Sequence, residues 1–346
     1  MLTVGILGAL GLSLVPSPYV IESPGPVFDT LGEVRFDGKE VPLIDIPDET
    51  TYPTGGTLAM LTVNVVGNRE QPPNWFEVVT SWADPSRAVV PVDAIYPDDE
   101  TVEQSNEQSA IDMENSQKDA IAASLTELGY DLDSTLTVAA FSPDSPSDGI
   151  LAEGDQILSV NGEEPVDVTQ LRSIIADNGV TKPVTIVILR DGSEQTVEVT
   201  PVDSADTDGQ PIVGIAVGTE YDFPFDVRIQ LEQVGGPSAG MMFALGIIDK
   251  LTPDELNGGK DVAGTGTITA DGIVGAIGGI RQKMYGARDA GADYFLAPAD
   301  NCDEVTGHIP NGLTVFSVAT LDDALTALEA LSAGGDTTAL PSCTAG

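Results

Sequence analysis

The chain is 346 residues long, enough for two or three domains, and its 41% hydrophobic content supports packed cores rather than a disordered polymer. Its 55 acidic and 14 basic residues leave a formal charge of -41, which argues against a nucleic-acid binder, since phosphates need basic partners. One histidine, His308, and two cysteines, Cys302 and Cys343, form no metal-ligand cluster with zinc spacing and weaken any Ser-His-Asp or Cys-His reading.

Residues Met1–Ile21 carry no charge, and Leu2–Val15 is almost wholly apolar. This run, 1–21, reads as a short membrane anchor or a signal-like segment, although no Lys or Arg precedes it to set an orientation. Pro16, Pro18, Pro24 and Pro26 then make an extended lead-in. From Gly55 to Val66 the pattern is that of a β-strand. Thr101–Gly129 reads as a helix, with Ile111, Met113, Ala120, Ile121, Leu125 and Leu128 available for one apolar face and Gly129 as its stop.

Leu136–Val202 changes texture. Short strands are expected at Leu136–Phe141, Gln156–Val160, Val184–Leu189 and Glu194–Thr200, around one helix at Val168–Asp177. Asn161-Gly162 and Asp191-Gly192 are hairpin turn signals. The string Gly154-Asp155-Gln156-Ile157-Leu158-Ser159-Val160-Asn161-Gly162 resembles a PDZ domain of the bacterial protease type. That resemblance implies capture of an extended peptide or C-terminus between a sheet edge and the Val168–Asp177 helix, with a carboxylate-binding loop near Gly129–Leu132.

Asp203–Gly209 is a polar linker. Strands are expected at Ile212–Val217 and Phe225–Leu231, then a Gly-interrupted strand at Asp261–Ile268, and further strands at Asp293–Leu296 and Leu313–Val318. Thr320 caps a last helix, Leu321–Leu331. Alternating strands and helices here indicate a mixed α/β or α+β domain.

Two residues within this region carry chemistry. Ser238 follows Gly235-Gly236-Pro237 and precedes an apolar helix running to Leu251, so it sits where backbone N–H groups and the positive helix end converge. It is either an N-cap or a nucleophile whose product is an oxyanion. Lys283 falls in the first turn of a helix after Gly278-Gly279, in an apolar setting. It is either a solvated lysine or one whose pKa is lowered from about 10.4 toward ~7–8, where a neutral amine serves as general base. His308 lies in the polar Asp303–Asn311 loop and reads as a surface residue. Cys302 and Cys343 pair if the compartment is oxidising and are unrelated thiols if it is cytosolic.

Gly236-Pro237-Ser238-Ala239-Gly240, Thr265-Gly266 and Gly278-Gly279-Ile280-Arg281-Gln282-Lys283 together resemble the proteolytic domain of the Lon family, in order. The resemblance implies Ser238 as nucleophile and Lys283 as general base, with Arg281 in place of the family's first Lys. Thr265 is implied to orient Lys283. Backbone N–H groups near Ser238 are implied to form the oxyanion hole, with Gly236 allowing close approach; Pro237 and Gly266 complete the motifs. Gly235 stands where many Lon proteins carry an acid, and Thr267 replaces the Glu of Thr-Gly-Glu. No Gly-x4-Gly-Lys-Ser/Thr phosphate loop occurs; Gly259-Lys260 is followed by Asp261.

The whole order resembles bacterial membrane-anchored, PDZ-containing Lon-like peptidases. The implied fold class is α+β: a Lon-type domain with a mixed sheet, an inserted β-rich PDZ domain and an N-terminal apolar anchor. The expected boundaries are 1–21 anchor, 22–132 first part of the Lon-like domain, 133–203 PDZ, 204–335 catalytic core and 336–346 tail. The implied function is an ATP-independent serine endopeptidase, acting outside the cytoplasm from a single-pass anchor in a bacterial membrane. Its partners would be protein or peptide substrates, with no cofactor, metal, ATP or nucleic acid. External placement favours a Cys302–Cys343 disulfide, and the family implies a homo-hexameric ring. The rival is a non-enzymatic PDZ scaffold or regulator on a degenerate Lon-like fold.

Overall fold

The computed structural model describes residues 16–96, 102–142, 145–166, 168–203, 210–232, 234–335 and 337–343. The chain forms two compact units: Met1–Ser124 with Phe225–Ile268 and Gly272–Gly346, and Leu125–Pro224 with Thr269–Asp271.

The first unit is built on a six-stranded mixed sheet in the order Thr314–Val318, Tyr294–Pro298, Asp261–Gly264, Thr57–Val66, Tyr19–Asp29, Ala88–Pro91. The first four strands run parallel, and the last two pair antiparallel. Val262, Ala263, Phe295, Leu296 and Ala297 are fully buried, as parallel strands covered on both faces require. The Gly240–Leu251 helix is buried from Gly240 through Asp249, which is why its sequence from Gly240 to Ile248 is free of charge on every side. The Ile280–Asp289 helix is amphipathic instead, and buries Ile280, Met284 and Ala287 at helical spacing in one cluster with Leu61 and Phe295. Thr320 caps the Leu321–Ser332 helix in a capping box with Asp323.

The proline-rich lead-in is not a free extended segment. Tyr19–Asp29 is an interior strand, paired with Thr57–Val66 on one side and Ala88–Pro91 on the other. Prolines lack the ladder N–H and normally demote a strand. Here the register shifts between Pro24 and Val27, so a bulge absorbs Pro24-Gly25-Pro26. Any Cβ at Gly25 would run into Thr62, whose Oγ1 donates to the Pro26 carbonyl at 2.8 Å. The 1–21 assignment is corrected in part: Met1–Val15 lies outside the described residues, but Tyr19, Val20 and Ile21 belong to this strand. Among the described residues no helix is long and apolar enough to cross a membrane.

Two other expectations shorten. Phe225–Leu231 contracts to Arg228–Ile229, and the Asp261–Ile268 strand breaks into Asp261–Gly264 and Thr267–Ile268, with Thr265 and Gly266 released between them. The expected tail is tied down: the Ser317 N–H donates to Pro341 O at 3.0 Å, and Cys343 is bonded to Cys302.

The second unit is an antiparallel five-stranded sheet ordered Ser193–Val199, Val184–Arg190, Gln156–Val160, Asp133–Phe141, Ile215–Asp222. Leu171, Ile174 and Ile175 of the Val168–Asn178 helix pack with Leu136, Ile186 and Ile188 in its core. Asn161, Gly162, Asp191 and Gly192 all take positive φ, as the hairpin signals require. Buried Asp155 accepts a two-pronged bond from Arg190 (2.7 and 2.6 Å), which holds its carboxyl below the usual range. The PDZ boundary at 203 is corrected: Ile215–Asp222, expected in the catalytic core, is the fifth strand of this sheet. The polar linker signal marked a connection inside the unit rather than its end.

Candidate active site

The loop before the Gly240–Leu251 helix is held from outside itself. Gly236, at φ 83°, donates its N–H to Ser109 O at 2.8 Å, and Ser116 Oγ donates to Pro237 O at 2.9 Å. Ser109 and Ser116 lie two turns apart on the Val102–Glu127 helix and so share a face. A Cβ at Gly235 would stand 2.8 Å from Ser109 Cβ, so the helix and loop touch backbone to backbone. The helix begins at Gly240 with Ala239 as N-cap and no side-chain cap bond. Ser238 therefore does not cap, and its hydroxyl is free for other partners.

The Lys283 side is built from the Gly-rich turn. Gly279 takes φ 68°, open to glycine at little cost, and a Cβ there would stand 2.6 Å from Val63. Asn301 clamps the turn by accepting from the Ile277 N–H and donating to the Ile277 O, each at 2.9 Å. Gly279 O accepts the Lys283 N–H at 3.1 Å, which places Lys283 in the first turn, as expected. The side chain is 3% exposed, and Nζ lies 2.7 Å from Ser238 Oγ and 3.0 Å from Thr265 Oγ1.

Thr265 sets the direction of these bonds. It is fully buried, and its hydroxyl donates to Ser238 O at 2.8 Å. With its proton spent there, Oγ1 can only accept from Lys283, so one amine hydrogen points at Thr265. In its neutral form the amine keeps a lone pair into which the Ser238 hydroxyl can donate. Gly266 N–H also donates to Ser238 O at 2.9 Å, and these two bonds fix the Ser238 backbone.

Burial pushes the Lys283 amine down to about 7, against the weaker opposing field of the Glu22 carboxylate. Glu22 itself is raised, chiefly by burial and next by Glu304, while Lys283 lowers it. Ser238, Lys283 and Glu22 line one cavity of about 580 Å³, walled by Thr62–Val65, Met113 and Pro237. Ser109, Ser116, Asn301 and Glu22 were all missed in the sequence. Each is an ordinary polar residue in its own segment and acquires a role only across the fold. His308 is exposed, and the described hydrogen bond of its ring is to the Thr306 carbonyl.

A second cavity, of about 690 Å³, lies in the other unit between the Val168–Asn178 helix and Val213–Val217 on the sheet edge. The loop expected at Gly129–Leu132 does not line it. Gln210–Gly214 does, with Gly214 at φ 70°.

Residues 233–331 match the Lon protease (S16) C-terminal proteolytic domain. That segment holds Ser238, Thr265 and Lys283. Residues 111–200 match the PDZ domain family. The chain is 40% identical across 93 residues to Lon protease 1 of Sorangium cellulosum, which is 26% of this chain and 11% of that protein. It is 41% identical across 108 residues to the Lon protease of Geobacter metallireducens (30% and 13%), and 27% across 175 residues to that of Campylobacter concisus (49% and 22%). The chain thus spans between 11 and 22% of the length of these relatives. Among solved structures, the PDZ domain of an SdrC-like protein from Listeria innocua aligns over 24% of this chain and 92% of its own, with 23% identity and a TM-score of 0.23. The chain thus carries a Lon-type proteolytic segment and a PDZ segment on an α+β frame.

Proposed function

We propose that this protein is an ATP-independent serine endopeptidase working through Ser238 and Lys283, with the Leu125–Pro224 unit capturing substrate peptides. The observation that carries this reading is the buried, depressed lysine amine 2.7 Å from the serine hydroxyl, oriented by Thr265. Neutral Lys283 takes the Ser238 proton as Oγ attacks the scissile carbonyl. The ammonium then returns that proton to the leaving amine, which leaves an acyl-serine. A water, deprotonated by Lys283, hydrolyses the ester and restores both groups. The Gly236 N–H is taken up by Ser109 O and is not among the oxyanion donors. The N–H groups of Ser238 and Ala239, at the head of the Gly240–Leu251 helix, are the candidate donors. No phosphate-loop string occurs in the 346 residues.

The apolar Leu2–Val15 run and the Cys302–Cys343 disulfide support an anchored enzyme facing an oxidising compartment. A hexameric ring is implied by the Lon likeness. Incubating the protein with an unfolded substrate protein tests the reading: cleavage that depends on Ser238 supports it, and binding without cleavage supports the scaffold.

The pH dependence follows from Lys283. Its neutral form is the base, so kcat/KM should fall about tenfold per pH unit below the folded pKa and level off above it; with that value near 7, the bend falls there. Glu22→Gln removes the charge that favours the ammonium, so the bend should move to lower pH in a kcat/KM profile. Stability has the matching sign. Between about 7 and 10.5 the unfolded chain holds a proton on Lys283 that the folded chain has released, so this group makes stability rise with pH through that window.

For the peptide groove, Ser173 is exposed on the helix wall. Ser173→Trp should fill the groove and weaken peptide binding by tenfold or more, on the order of 1.4 kcal/mol. Cleavage of short unstructured peptides should stay unchanged. Titration of a fluorescent C-terminal peptide checks the first outcome and a peptidase assay the second.

A further inference from the structure

The short Trp75–Ser81 helix faces two ways. Asn74 caps it, accepting from the Phe76 and Glu77 N–H groups, while Glu77 bonds back to the Asn74 N–H. Its inner side buries Val78 and Ser81, and Trp75 meets Tyr19 of the sheet edge-to-face at 5.8 Å. Phe76, Val79 and the C-cap Trp82 recur every three residues on the outer side, exposed by 51, 48 and 60%. The other exposed large apolar side chains among the described residues are scattered singly along the sequence. Three on one face of one short helix need a reason in a chain this acidic.

The reason lies in where the chain enters. Ser17 donates both its N–H (3.0 Å) and its Oγ (2.8 Å) to Pro73 O, and Pro16 bridges to Asn74. The apolar Leu2–Val15 run therefore joins the fold at the N-terminus of this helix. At 1.5 Å per residue the apolar face spans about 10 Å from that junction, close to the depth of a headgroup layer. Trp and Phe are the side chains that rest at such an interface. The nearby acids are occupied: Glu77 caps the helix, and Asp84 is bonded to Ser86 and paired with Arg87. The surrounding negative charge disfavours anionic lipid, which points to neutral headgroups.

We propose that the Phe76–Val79–Trp82 face rests in the headgroup region of a neutral phospholipid bilayer, beside the entry point of the N-terminal run. The proposal rests on the anchored reading above.

The chain has only two tryptophans, so Trp75→Phe leaves Trp82 as the sole reporter. The full-length variant is reconstituted into phosphatidylcholine vesicles with or without bromine on the acyl chains, and floated on a density gradient. The expected result is co-flotation with loss of about half of the Trp82 emission in brominated vesicles. Adding Phe76→Ser and Val79→Ser should abolish the quenching and leave flotation intact. Flotation without quenching overturns the proposal and spares the anchor. Failure to float overturns both. A shielded, unquenched Trp82 with a detergent-solubilised mass at a multiple of 35.9 kDa assigns the face to a second copy and overturns the proposal.

Discussion

Replacing Ser238 by alanine is expected to lower kcat/KM on an unfolded protein by about 10³–10⁴-fold or more. Lys283→Ala should cost about as much, and the double variant little further, because nucleophile and base act as one unit. Lys283→Arg should not rescue, since a guanidinium stays charged and cannot accept the serine proton. Thr265→Val should be milder, about 10- to 100-fold. It would leave the dyad in place but free the amine to rotate its lone pair away from Ser238 Oγ. Initial-rate assays on the purified variants decide this. Equal cleavage by wild type, Ser238→Ala and Lys283→Ala would falsify the dyad.

Loss of the Cys302–Cys343 bond should destabilise the catalytic unit by about 2–5 kcal/mol, because it closes a long loop in the unfolded chain; the two cysteines are 41 residues apart. The effect should reach the active site. Cys302 directly follows Asn301, which clamps Ile277 ahead of the turn that carries Lys283. The double variant Cys302→Ser/Cys343→Ser should therefore unfold at lower urea and lose activity before the remaining fold is lost. Both tryptophans lie in the unit that holds this disulfide, so their fluorescence follows its unfolding. Two free thiols in a non-reducing mass map would refute the pairing.

Local signals were read well where the physics is local. Thr320 before an amphipathic run reads as a cap and forms one, with its capping box. The two Asn-Gly and Asp-Gly pairs mark positive-φ turns and take them. The Met241–Ile248 run is apolar on every side, and that stretch of the helix is buried on every side. The Tyr19–Asp29 strand was lost because prolines argue against a ladder, and only the partner strands reveal the bulge that excuses them. The strand Ile215–Asp222 was placed in the wrong unit because its partner, Asp133–Phe141, lies across the polar linker.

What the sequence by itself determined is the chemical identity of the candidate site: a serine after Gly-Gly-Pro, a lysine in the turn of helix after Gly-Gly, and a threonine in a Gly-interrupted strand. Backbone preferences and side-chain chemistry are properties of a few neighbouring residues, so they survive in the string. What only the tertiary structure decided is their state. Ser238 is released from capping, Thr265 spends its proton on Ser238 O, and Lys283 loses its water and with it much of its basicity. These depend on contacts such as Ser116 to Pro237, 121 residues apart, and Lys283 to Ser238, 45 apart. Desolvation and hydrogen-bond direction are set by everything packed around a group, and no local pattern encodes that.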